Sequence, residues 1–101
     1  MNKRAIQTDQ APAAIGPYSQ AIRIGNFLYT SGQIALDPKS GMFLSGEIED
    51  ETDQTLKNIS AILKADGLNL ENVVKTTVYL SDLNHFSRMN QVYEKYFSKN
   101  K

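Results

Sequence analysis

The residues able to do chemistry in this chain are few, and their types narrow the reaction before any fold is considered. Of 101 residues none is cysteine and a single one, His85, is histidine. That removes a thiol nucleophile, a disulfide framework and a thiolate metal site, and it leaves a nucleophile–base–acid set without a visible partner for the lone imidazole. Gly32 is followed by none of the spaced glycines of a dinucleotide or triphosphate loop. The acidic run Glu47, Glu49, Asp50, Glu51 and Asp53 has no His or Cys beside it to fix a metal geometry, and it suits the positive end of a helix dipole. Neither a metal site nor a glycine-rich phosphate loop is therefore expected.

What remains is a hydrogen-bonding set. Tyr18 leaves a loop directly after Gly16-Pro17, and it either presents its hydroxyl to a cleft or packs as an aromatic. Ser31-Gly32-Gln33 ends a strand-like run at a point where backbone amides could face a ligand. Asn90 lies on the apolar stripe of a helix between Met89 and Tyr93, where its amide needs a partner, either a backbone end or a substrate. His85 falls off that stripe and reads as exposed. Arg4 and Arg23 also read as exposed, and Arg88 points about 100° away from the Met89 direction.

The elements that must hold these residues are organised around Val73-Val74-Lys75-Thr76-Thr77-Val78-Tyr79-Leu80. Six of its eight residues are β-branched or aromatic, and none is Gly or Pro, which predicts a strand with Val74, Thr76, Val78 and Leu80 on a core face. Upstream, Ala5-Ile6-Gln7-Thr8 predicts a short strand. Alternation over 18–24, the Gly25-Asn26 turn and the run 27–32 predict a β-hairpin. Asp37-Pro38-Lys39-Ser40-Gly41 is turn chemistry throughout. A helix is expected from an N-cap at Ser45 to about Ala65 along Ile48, Thr52, Leu56, Ile59 and Ile62, closed by Gly67. Strand 73–80 is then expected to run parallel to 27–32 through a right-handed crossover. A second helix, capped at Ser81 or Asp82, has the expected inner face Leu83, Phe86, Met89/Asn90, Tyr93 and Tyr96/Phe97, and both helices are expected on one face of the sheet.

Eleven basic and eleven acidic residues cancel, with no basic run, so nucleic acid is not an expected partner. Lys3 and Arg4 precede no apolar segment, and no stretch reaches membrane-spanning length. The length fits one domain, 1–101, and the expected location is the cytoplasm. The chain stops at Ser98-Lys99-Asn100-Lys101 just after the second helix, with no strand for that helix to return to.

Ala14-Ile15-Gly16-Pro17-Tyr18-Ser19-Gln20-Ala21, Tyr29-Thr30-Ser31-Gly32-Gln33-Ile34, Val74-Lys75-Thr76-Thr77-Val78, and Asp82-Leu83 with the run Phe86 to Phe97 closely resemble the RidA (YjgF-type, reactive intermediate deaminase) family, in order and with the family's spacing. The resemblance implies an α+β, chorismate-mutase-like domain with a mixed sheet. It also implies a homotrimer with clefts between subunits, and hydrolysis of 2-imino acids or enamines to 2-oxo acids and ammonia without metal or cofactor. It assigns Tyr18 as the catalytic cleft tyrosine, and Ser31, Gly32 and Asn90 as substrate-binding. It further implies two strands after the second helix, carrying an arginine for the substrate carboxylate and a glutamate for water. Those segments are not in this sequence, so the chain reads as C-terminally incomplete and, if it ends at Lys101, as inactive. A small 2-oxo acid binding or regulatory module without turnover is the alternative, and a purely structural or interaction protein is the third reading.

Overall fold

The computed structural model describes residues 2–97. Its sheet is built by chain order alone: β1 (Lys3–Ile6), β2 (Ala21–Ile24) and β3 (Phe27–Thr30) form a three-stranded antiparallel sheet in the order β1-β2-β3. Gly25 makes the β2–β3 hairpin possible. It takes φ 58° while no non-glycine among the described residues has positive φ, the pattern of a II′ turn with glycine in first place. The turn over 37–41 also forms, since Asp37 Oδ1 accepts the amides of Lys39 and Ser40 at 2.8 and 3.1 Å. An isolated bridge between Leu36 and Phe43 closes the loop around it.

The sheet has two unlike faces, as alternation requires. Ala21, Arg23 and Leu28 face α1 (Ile48–Ala65), whose fully buried Ile62 packs with Ile6, Ala11 and Ala21. On the other face the cross-strand pairs Ile22–Tyr29 and Ile24–Phe27 lie open, with Phe27 and Tyr29 61% and 64% exposed. Arg4 and Arg23 are directly opposed across β1 and β2. Two like charges in that position repel, and Asp66 resolves the conflict: its nearly buried carboxylate takes Arg4 Nη2 at 2.9 Å and Arg23 Nε at 2.5 Å. Asp66 is the last residue of the α1 cap. Gly67 follows at φ 73°, its amide bonded to Lys64 O and that of Leu68 to Leu63 O, the two bonds of a Schellman ending. The chain-end signal read at Gly67 is thus realised. The start differs, because α1 begins at Ile48 after Glu47 with no side-chain cap, rather than at Ser45.

α2 (Phe86–Phe97) packs along α1. Asp82 caps its approach by accepting the Asn84 amide, but residues Leu83–His85 form a 3-10 turn first. That tighter turn shifts the phase of the stripe. Met89, Val92 and Phe97 become the buried residues, and Leu83 and Phe86 are 79% and 54% exposed. The inner face expected from Leu83 and Phe86 is corrected accordingly. Arg88 joins the two helices by bonding Glu49 through Nε and Nη2 at 2.9 and 2.7 Å and Glu47 through Nη2. Tyr96 donates to Asp53 further along.

The α+β class holds, whereas the expected strand over 73–80 does not form. That segment runs without turn or bend and pairs with no strand among the described residues. Val74 and Val78 are 91% and 47% exposed, and of the anticipated core face only Leu80 is even half-buried. With no ladder over 73–80, the expected parallel pairing with 27–32 is absent, and the described sheet is antiparallel throughout. The reason is physical: β-branched composition suits a pleated surface but cannot create one without a neighbouring strand. The one side-chain bond from the middle of the segment joins Thr76 Oγ1 to Tyr93 OH at 2.6 Å. The chain-end residues 98–101, from which incompleteness was read, lie outside the described residues.

Candidate functional site

The ladder of the hairpin continues past β3. Ser31 donates its amide to Gln20 O at 2.9 Å, and its hydroxyl donates to Ser19 O at 2.5 Å. Ser19 is thereby held beside Ser31, and Tyr18 and Gly32 are the next residues outward on the two chains. Three of the four residues expected at a site, Tyr18, Ser31 and Gly32, therefore lie together at the open end of the hairpin.

Their polar groups are arranged as follows. Gln33 curls back so that Nε2 donates to the carbonyls of Ser31 and Gly32, both at 3.3 Å. In a planar trans peptide the N–H points opposite to the carbonyl, and no peptide here is cis. The amides of Gly32 and Gln33 consequently face away from that side chain, and neither donates to a described residue. Gly32 is exposed, and a Cβ added there would meet nothing within 4 Å. Adjacent free amides of this kind form a partial positive charge suited to a carboxylate. Tyr18, 52% exposed, accepts the Ile15 amide at 3.4 Å, which leaves its own proton to donate outward. Gly16 permits the turn before it, with φ 112° and its carbonyl accepting the Tyr18 amide at 2.9 Å.

Asn90 is on α2. It sits half-buried there with no hydrogen bond from its side chain to a described residue, so the obligatory partner expected from its place on the stripe is not required: partial exposure lets water satisfy the amide. The ionisable groups are spent on structure. Each of the three arginines is paired, Arg4 and Arg23 with Asp66 and Arg88 with Glu47 and Glu49; Arg4 is exposed as expected, whereas Arg23, expected exposed, is half-buried. Hydrogen bonds from these guanidinium groups hold Asp66 and Glu49 below their ordinary carboxylate values. His85 is partly exposed, 3.9 Å from Asp82. Among the described residues no group of three His, Cys, Asp or Glu side chains could hold a metal ion, and no helix is long and apolar enough to cross a membrane.

Two residues that carry the site's walls are absent from the sequence-derived set. Gln20, 3% exposed, accepts the Thr8 amide at 2.7 Å and donates to the carbonyls of Thr8 and Pro12 at 2.9 and 2.8 Å and of Ala11 at 3.3 Å. Asn58, 1% exposed, reaches from α1 to the carbonyls of Ile34 and Leu36. The spacing of four from Asn58 to Ile62 was the available signal, since it puts the amide on the apolar line.

Comparison with known proteins bears on what such a site does. The family model described as Endoribonuclease L-PSP matches residues 8–101. A RutC family protein of Pyrococcus horikoshii is 54% identical over 98% of this chain and 79% of its own length. The 2-iminobutanoate/2-iminopropanoate deaminase of Homo sapiens is 51% identical over 97% of this chain and 72% of its own. Among solved structures, a Rid family protein of unknown function from Yersinia pestis superposes with a TM-score of 0.96 at 43% identity, covering 99% of this chain and 79% of that one.

Proposed function

The chain belongs to the Endoribonuclease L-PSP family, and from that premise we propose that it is a hydrolytic deaminase of reactive 2-imino acids and their enamine tautomers. Water adds its oxygen to C2 of the imine while the nitrogen gains a proton. The C–N bond of the resulting carbinolamine then breaks as the hydroxyl proton moves to nitrogen, and 2-oxo acid and ammonia leave. The amides of Gly32 and Gln33 hold the substrate carboxylate, and the Tyr18 hydroxyl hydrogen-bonds the reacting imine and its water. Ser31 lines the cleft, and Asn90 is a further substrate-binding residue near the subunit boundary. The carrying observation is the free amide pair beside an outward Tyr18 hydroxyl, in a chain half identical to a named imine deaminase.

The working form is a homotrimer of single-domain chains, 1–101 each lying within one domain, with the cleft at a subunit boundary. One feature supports this: the apolar face that the hairpin turns away from α1, at Ile22, Ile24, Phe27 and Tyr29, where both aromatic rings lie exposed. The proposed setting is the cytoplasm, where imines arise from amino-acid metabolism. Ribonuclease action, which the family description names, is not favoured: the net charge is zero and every arginine is already paired to a carboxylate.

The test couples the protein to an amino-acid dehydratase and follows 2-oxo acid formation while semicarbazide competes for the imine. Faster release with the native protein than without it, and loss of that gain in Tyr18→Phe, is the expected result. No acceleration, together with calorimetric binding of a 2-oxo acid, would leave a binding module instead.

A further inference from the structure

The Gly32–Gln33 amide pair is only as good as the loop that holds it, and one anchor of that loop is contributed by α1. On the N-terminal side Ser31 is fixed twice, by its amide to Gln20 O and its hydroxyl to Ser19 O. On the C-terminal side the fixing group is the Asn58 carboxamide. Its Nδ2 donates to Ile34 O at 3.0 Å and to Leu36 O at 2.9 Å. Its Oδ1 accepts from Gln54 Nε2 at 2.9 Å, which settles which end of the amide faces the loop. Between these anchors stand Gly32, the residue with the most backbone freedom, and Gln33. We propose that Asn58 is a positioning residue for substrate: by pinning the Ile34 and Leu36 carbonyls to α1, it holds the Gly32 and Gln33 amides in the direction that receives the substrate carboxylate. This rests on the imine-hydrolase reading above.

The geometry gives the proposal its direction. Because peptide units are planar and trans, turning the Ile34 carbonyl toward α1 turns the Ala35 N–H away from α1, and that N–H donates to no described residue. Successive peptide planes from 32 to 35 are thereby referred to one rigid helix, not to the loop itself. A carboxamide is the group for this task, since it offers two donors to two carbonyls and one acceptor to Gln54, from a side chain that is itself buried. Leucine at 58 would keep the volume and lose the anchor.

The experiment measures kcat and KM for imine hydrolysis with the native chain, Asn58→Leu, the milder Gln54→Leu, and Ile62→Ala as a control that weakens the same helix one turn on. All are assayed well below their melting temperatures. Amide NMR follows Gly32 and Gln33 during titration with 2-oxobutanoate. Asn58→Leu is expected to raise KM about tenfold, the loss of roughly one charge-assisted hydrogen bond, with kcat changed far less and with the titration shifts at Gly32 and Gln33 collapsed. Gln54→Leu should move both readouts the same way by a smaller factor, and it carries the test if Asn58→Leu does not fold. Ile62→Ala should lower the melting temperature and leave KM alone. An active native protein whose KM and amide shifts survive loss of Asn58 or Gln54 overturns the positioning role and spares the enzyme reading. A native protein that neither turns over imine nor binds 2-oxobutanoate overturns both.

Discussion

The β2–β3 hairpin and the segment 73–80 are made of similar residues and have opposite fates. Each is rich in β-branched and aromatic side chains. The hairpin is paired on both sides of β2, and buried amides at Gln20 and Asn58 tie the loops beyond its open end. Residues 74–80 make no backbone hydrogen bond to another described residue, and one threonine hydroxyl links their middle to α2. Intrinsic preference is equal in the two regions, so the difference comes from partners. A strand is a relation between two stretches of chain, and a turn such as Gly25-Asn26 delivers the second stretch within a few residues.

That contrast predicts where substitutions will hurt, and the largest loss belongs to the tied region. Ile62→Ala empties the point where α1 meets the sheet, and chemical denaturation should show a loss of about 2–5 kcal/mol. A loss below 1 kcal/mol would mean that the hairpin is no better supported than 73–80.

Extremes of pH should come next, because the α1 contacts are charge-tied. The Tyr96 hydroxyl holds Asp53 below its ordinary value of 3.8, and arginines do the same for Asp66 and Glu49. A depressed folded value means that the unfolded chain binds protons more readily. This stabilisation is therefore full above about pH 4–5 and is lost as pH falls through the folded values. Burial, reinforced by Asp53, pushes Tyr96 up to about 12 from 10.0. Its contribution is full below pH 10 and is lost as pH rises through 12. Melting temperatures measured across pH should fall at both ends, and in Tyr96→Phe the alkaline fall should shrink.

Thr76→Val removes the hydroxyl bonded to Tyr93 and should cost about 0.5–1.5 kcal/mol, read by thermal unfolding. The smallest effect is expected at Val74, where Val74→Thr should stay within about 0.5 kcal/mol. A loss above 1 kcal/mol there would show that the segment is covered in solution and would erase the contrast.

Local signals carried most of what the sequence made legible. The hairpin turn, the Asp37 turn, the Gly67 ending and the Asp82 cap each need only a few neighbouring residues, and all four are present. That Tyr18, Ser31 and Gly32 stand at one end of the hairpin was legible from the turn at the other. Asn58 and Gln20 were hidden because a polar residue in an amphipathic pattern is read as solvated unless its carbonyl partners, 22 and 24 or 8 to 12 residues away, are already in view. The Arg23–Asp66 pair was hidden likewise, since it depends on the end of α1 docking against β2. In α2 a short 3-10 start moved the stripe by enough to exchange Phe86 for Val92.

The carboxylate shared by Arg4 and Arg23 also has a kinetic meaning. Asp66 is 62 residues from Arg4 and 43 from Arg23, so each contact closes a long loop whose entropy must be met before the contact is rewarded. α1 and the hairpin can form from local contacts, whereas this clasp can close only after they dock. It should therefore be weakly formed at the folding barrier. In stopped-flow experiments Arg4→Ala should quicken unfolding while leaving the refolding rate nearly unchanged. The clasp would then govern how long the native protein lasts more than how fast it is made.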